Sequence, residues 1–342
     1  MWSHDPWRGT LLPLHSKKNQ ALHYYSQLFN SVEGNTTFYA DQNATTLSRW
    51  ATQSAADFRF YLKVPRYVTH PLQHDSAHRL SVWLQSLAPL AEKILFIQLQ
   101  LSAQTGPESL AQIAELVATI VPHFRCAVEV RHLAFFDKGP HEQALHQCLR
   151  FYQAERVCFD SRALFAYDAL QPYNTVIATA QQKKPRLPVH AVLLQDLAIV
   201  RFIGQLEMDI NRQFYQPWLH KCLQWFNQGR SVAFYMHTPD NHTSPQLAWH
   251  FAKDLAALGG PTHPILERWP LVEFAAPHPP MAVSGTDRRD TNPAFNHQHQ
   301  RQYQAPSLHS SINSPQSAVV NGADDSADES TDDSANSQLS LL

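Results

Sequence analysis

Seven short runs of β-branched and aromatic residues, separated by stretches with helical spacing, leave few folds open to this chain. The runs fall at residues 31–39, 58–64, 94–101, 125–131, 156–160, 198–204 and 231–237. Between them, residues 19–29 place Ala21, Leu22, Tyr25, Leu28 and Phe29 on one helical face, and 107–121, 211–226 and 245–258 repeat that period. Gly106-Pro107 suits a helix start and Gly259-Gly260-Pro261 a helix stop. Strand alternating with helix predicts parallel pairing through right-handed crossovers. Runs that are apolar on both faces are what parallel strands require. An open doubly wound sheet and a closed barrel both meet that description. No G-x-G-x-x-G follows the first run, so the dinucleotide-binding sheet loses its main support. The expectation is an α/β fold, a TIM-like (β/α) barrel with seven visible strands. Residues 161–195, with Pro172, Pro185 and Pro188, read as one extended loop.

The 342 residues suffice for one barrel of about 250 residues plus an extension. Residues 1–275 are assigned to the barrel. Residues 276–342 are rich in Ser, Asn, Gln, Asp and His without apolar periodicity, and read as a disordered acidic tail. That tail holds three Arg against eight Asp/Glu, so a chain of net charge −2 leaves only +3 on the remainder. A charge that small offers no electrostatic footprint for nucleic acid or for an anionic membrane. Cys126, Cys148, Cys158 and Cys222 show no paired spacing. Neither a signal peptide nor an apolar run of membrane-spanning length is visible, so a reduced cytoplasmic setting is expected. Trp2 and Trp7 suit either the barrel mouth or an N-terminal hydrophobic anchor.

Polar residues interrupt the strand runs at telling positions. Glu33, Asn35 and Thr37 share one face by the period of two, as do Glu129 and Arg131. Lys63 ends its run with Arg66 just beyond, and Asp160, Arg201 and His237 repeat the pattern. If the apolar faces pack on helices, these side chains point into the barrel. Charges there are costly unless paired or hydrogen-bonded. They are then either a neutralised lattice that fixes strand register, or a site at the carboxyl-end mouth, where barrels keep their chemistry. The lateness of most of them in their strands favours the site. The cluster Lys183-Lys184-Pro185-Arg186 reads as a solvated loop.

At these residues the sequence resembles the YecE-like family, known as domain of unknown function 72. The resemblance is carried by 24–39 (YYSQLFNSVEGNTTFY), by Phe58-Arg59-Phe60 through Lys63 to Pro65-Arg66 and Thr69-His70, and by Ile94-Leu95-Phe96-Ile97-Gln98-Leu99. Ala127-Val128-Glu129-Val130-Arg131-His132 and Val200-Arg201-Phe202 complete it. It implies a TIM barrel and no assigned function. The opening Met1-Trp2-Ser3-His4-Asp5-Pro6-Trp7 resembles the tail of the family's first segment without its strand, and the resemblance then implies a first strand truncated or missing, or a true start further upstream. Ile203 stands where such strands usually carry a His, and 236–241 is poorer in Asn than the family segment.

Three readings of the chemistry follow. In the first, an enzyme acts on a small anionic molecule, phosphorylated or carboxylated. Glu33, Lys63 and Glu129 are catalytic, Glu33 or Glu129 as general acid or base. Asn35, Arg66, His70, Gln98, Arg131, Asp160, Arg201 and His237 bind the substrate, the Arg side chains through bidentate contacts. In the second, a metal-assisted hydrolase or isomerase draws on Glu33, Glu129, Asp160, His70, His132 and His237, although no H-E-x-x-H spacing exists and nearby cations oppose a metal. In the third, the barrel is a non-enzymatic binding or scaffold protein with a structural ion-pair lattice. The sequence names no cofactor, no metal site and no oligomeric state.

Overall fold

In the computed structural model, residues 2–166, 174–269 and the backbone of 339–341 are described. The strands are β1 Ser31–Gly34, β2 Arg59–Lys63, β3 Ile94–Gln100, β4 Cys126–Glu129, β5 Glu155–Asp160, β6 Leu197–Ile203 and β7 Ser231–His237. Each pairs in parallel with the next, and a short β8, Leu339–Leu341, runs parallel beside β7. The helices between them are α1 Ala21–Leu28, α2 Ala44–Gln53, α3 Ser76–Ser86, α4 Leu110–Ile120, α5 Pro140–Phe151, α6 Thr175–Lys183, α7 Met208–Asn227 and α8 Ser244–Ala257. α1 precedes β1, and each helix from α2 onward links one strand to the next or follows β7. The result is a nearly closed TIM-like barrel inside a helical shell.

Alternation along the strands sorts the side chains into two sets. Outward residues pack on the helices: Phe202 meets Tyr215 of α7, and Phe234 stacks on Phe251 of α8 at 4.2 Å. Inward residues form layers, as barrel interiors do. Among them, Tyr61 stacks on Phe96 at 4.7 Å and meets Tyr235 edge-on at 4.7 Å. These rings have no exposed surface, so the interior is packed rather than a pore. Glu33 and Arg201 stand in register with two of them, Tyr61 and Tyr235 respectively.

Two local expectations are corrected. The run at 31–39 is not one strand: β1 ends at Gly34 and Thr36–Tyr39 turns into a short helix. The Thr37 hydroxyl donates to the carbonyls of Gly34 and Lys63, folding the chain over the end of β2. A Cβ on Gly34 would sit 2.6 Å from Leu62, so glycine allows this close passage. The stretch 161–195 is also not a single loop. It contains a short helix, Arg162–Phe165, and then α6, whose start is capped by the Asn174 side chain accepting from the Val176 and Ile177 amides.

Trp2 packs edge-on against Trp50 and Phe60 on the outer side, and the indole N–H of buried Trp7 donates to the His242 carbonyl. Both therefore anchor the N-terminal segment. Residues 270–338, and with them most of the expected acidic tail, lie outside the described residues.

Candidate functional site at the carboxyl end of the barrel

Strand register brings the charged residues together. Glu33 lies level with Tyr61, Lys63 with Gln98, Arg201 with both Phe159 and Tyr235, and Ile203 with His237. Arg201 is the hub. Its Nε and Nη2 donate to the two Glu33 oxygens at 2.9 Å each, and its Nη1 donates to Glu129 Oε2. Glu33 also receives Lys63 Nζ at 2.6 Å and contacts His237 Nε2 at 2.8 Å. Glu129 receives Gln98 Nε2 at 2.9 Å and both Nε and Nη2 of Arg131. Glu33, Lys63, Gln98, Glu129 and Arg201 are all buried, whereas Arg131 and His237 retain 18% and 14% side-chain exposure. A largely buried inner ring thus carries a more accessible upper one.

The electrostatics follow from this packing. Burial opposes ionisation of Glu33, but Arg201, Lys63 and His237 together hold its carboxyl well below the usual range. Burial likewise opposes Glu129, and Arg201, Arg131 and Lys63 bring it to about 2. For Lys63, burial and then Arg201 lower the amine to about 7, against the pull of Glu33 and Glu129. Burial lowers His237 to about 4, leaving a neutral imidazole beside Glu33.

His70 sits near Arg131 and Arg66, and burial followed by those two cations lowers it to about 4. Its Nδ1 lies 2.7 Å from the Thr69 hydroxyl, and Arg66 is exposed at the rim. Asn35 is half-buried at the start of the helical turn directly after β1. Asp160 is apart from the ring: it accepts from the Trp218 indole of α7 at 2.7 Å and pairs with Arg162, so it serves the helical shell. His132 caps the turn at Leu133–Phe135, its Nδ1 accepting from the Ala134 amide.

One contributor escaped the sequence reading. Lys184, at the end of α6, is half-buried, and the charges that act on its amine are Arg201, Glu33, Glu129 and Arg131. It therefore overlooks the same ring. The only sequence signal was its place in a basic cluster ahead of β6, which composition alone assigns to solvent.

A cavity of about 680 Å³ opens elsewhere, against Phe96, Cys126, Glu155 and Leu197 at the amino ends of the strands. Its Glu155 is occupied by the backbone N–H groups of Leu194, Gln195 and Leu197, and its Arg125–Asp196 pair is exposed. Convergent chemistry is at the other end.

The family model described as a protein of unknown function, DUF72, matches residues 1–268. The chain belongs to the DUF72 family. It is 38% identical over 256 residues to the UPF0759 protein YecE of Escherichia coli strain K12, covering 74% of this chain and 90% of that one, and equally so to YecE of strain O157:H7. Two crystal structures of a DUF72 family protein from Enterococcus faecalis V583 share the fold, with TM-scores of 0.54 and 0.53 at 16% and 18% identity. They cover 69% of this chain and 88% and 93% of theirs. Neither the family description nor these names state a reaction. No described helix is long and apolar enough to cross a membrane.

Proposed function

We propose that the carboxyl-end mouth binds and transforms a small anionic molecule, phosphorylated or carboxylated. One observation carries this reading: cations outnumber carboxylates around the ring. Glu33 and Glu129 face Lys63, Arg131, Arg201 and Lys184, and the surplus sits on the more accessible Arg131 and Lys184. An incoming anion completes the balance, Arg131 offering a planar fork and Lys184 a point charge. Arg66 and the neutral His70 and His237 line the approach. Glu33 and Glu129 are held ionised, so neither keeps a proton to donate near neutrality; Lys63, poised at about 7, takes over proton exchange.

The test is calorimetric titration of the full chain with inorganic phosphate and with a panel of small phosphorylated and carboxylated compounds. Binding is expected, weakened at least about tenfold by Arg131→Ala or Lys184→Ala, since a charge-assisted hydrogen bond contributes about 1.5–3 kcal/mol. No binding to any of these compounds would overturn the reading.

A second reading has its own observation. Glu33, Lys63, Glu129 and Arg201 satisfy one another in full burial, as a lattice that only sets register would. It predicts that Glu33→Ala destabilises severely while no anion shifts the melting temperature. The metal-assisted alternative gains nothing from geometry: among the described residues no group of three or more His, Cys, Asp or Glu side chains is placed to hold a metal ion.

A further inference from the structure

We propose that Lys63 forms a covalent imine with a carbonyl group of the anionic molecule bound at the mouth. This deepens the anion-site reading and rests on it. The arrangement is specific. Lys63 ends β2 inside the barrel, its Nζ 2.6 Å from Glu33 Oε1. Level with it on β3 is Gln98, whose Nε2 is engaged by Glu129 while its buried Oε1 has no hydrogen-bond partner. A buried, unpartnered acceptor is costly, and in a site it points to a missing donor. The hydroxyl of a carbinolamine supplies one.

The step balances without an oxidant or reductant. The neutral amine attacks the carbonyl carbon, a C–N bond forms, and the carbonyl π pair moves to oxygen. The proton lost from nitrogen transfers to that oxygen, while the ionised Glu33 carboxylate steadies the positive charge that forms on nitrogen. The carbinolamine hydroxyl then leaves as water, taking a second proton from the nitrogen, and the C=N bond closes. Hydrolysis reverses the sequence. Burial and the Arg201 charge keep a substantial fraction of the amine neutral at physiological pH, which nucleophilic attack requires. The charged groups that act on that amine are Arg201 from β6, Glu33 from β1 and Glu129 from β4, and the same ring also holds Tyr61 on its own strand, Arg131 after β4, His237 from β7 and Lys184 after α6.

The full chain is incubated separately with pyruvate, dihydroxyacetone phosphate and, as an uncharged comparator, acetone, then reduced with sodium borohydride for intact-mass analysis and peptide mapping. Expected is one adduct per chain from an anionic probe, mapped to Lys63, at least tenfold above the urea-denatured protein, with yield rising through pH 7. Lys63→Met abolishes it; if that variant does not fold, the mapped position in the natural chain decides. An adduct spread over lysines as in the denatured protein, or none from any probe, overturns the imine. Phosphate binding without trapping leaves the anion site standing and removes the imine. Equal trapping of acetone on Lys63 keeps the imine and removes the anion preference.

Discussion

Arg201 donates to two carboxylates from a position that water does not reach, so its contribution is felt mainly when it is removed. Breaking a buried pair leaves an uncompensated charge and costs about 3–5 kcal/mol, whereas replacing all partners together is far milder. Arg201→Met is therefore expected to lower stability by about that amount in urea titration. Adding Glu33→Gln and Glu129→Gln should recover about half of the loss or more; no recovery would mean that the ring is not one electrostatic unit. Arg201→Lys should not substitute, because a single ammonium cannot span two carboxylates. Beside the ring, Phe96 stacks on Tyr61 with no exposed surface. Phe96→Ala removes a closely packed ring and should cost about 3–5 kcal/mol in the same assay.

Among the elements, the segment between α6 and β6 is fastened from outside the barrel. Glu142, in the first turn of α5, accepts from Arg156 of β5 at 2.7 Å, contacts His190 Nδ1 at 2.6 Å, and receives the Lys138 amide at 2.7 Å. Arg156 is itself buried, donates to the Phe135 carbonyl and lies over the Phe136 ring. Glu142→Ala strands that guanidinium and should cost about 3 kcal/mol or more. Because the loop carrying His190 is also the loop that presents Lys184, hydrogen exchange at residues 184–195 should quicken in this variant while β6 stays protected. Unchanged exchange in the loop would show that the fastening is dispensable.

At the scale of the whole molecule, four histidines shape the response to acid. His70, His146, His237 and His263 are each lowered to about 4, burial being the first cause in every case. An unfolded histidine titrates near 6.5, so between about 6.5 and 4 the unfolded chain binds more protons, and stability falls as pH drops through that window. Glu129 acts lower: folded at about 2 against roughly 4.3 unfolded, its contribution is complete above the unfolded value and is lost as pH falls toward 2. Urea midpoints at pH 7.5, 6, 5 and 4 should decline from the first step below 6.5. A flat profile to pH 5 would contradict the buried neutral histidines.

The periods of 2 and 3.6 in the chain determined the strand and helix order, the parallel barrel and the inward face of Glu33, Lys63, Glu129 and Arg201, because side-chain direction along a regular element depends only on local geometry. The strand at Ser231–His237 was legible to the residue. Other features had no local cause. Thr36–Tyr39 has strand-favouring residues yet turns helical, since the Thr37 hydroxyl finds carbonyl partners on two other segments. Asp160 shares the position of the site residues late in a strand, but its parity with respect to Phe159 directs it to Trp218. Lys184 overlooks the ring because α6 delivers it there, and the Lys63 amine falls to about 7 because the barrel buries it and Arg201 arrives from a strand more than a hundred residues away. Burial and charge proximity are properties of the assembled barrel, and only the tertiary structure decided them.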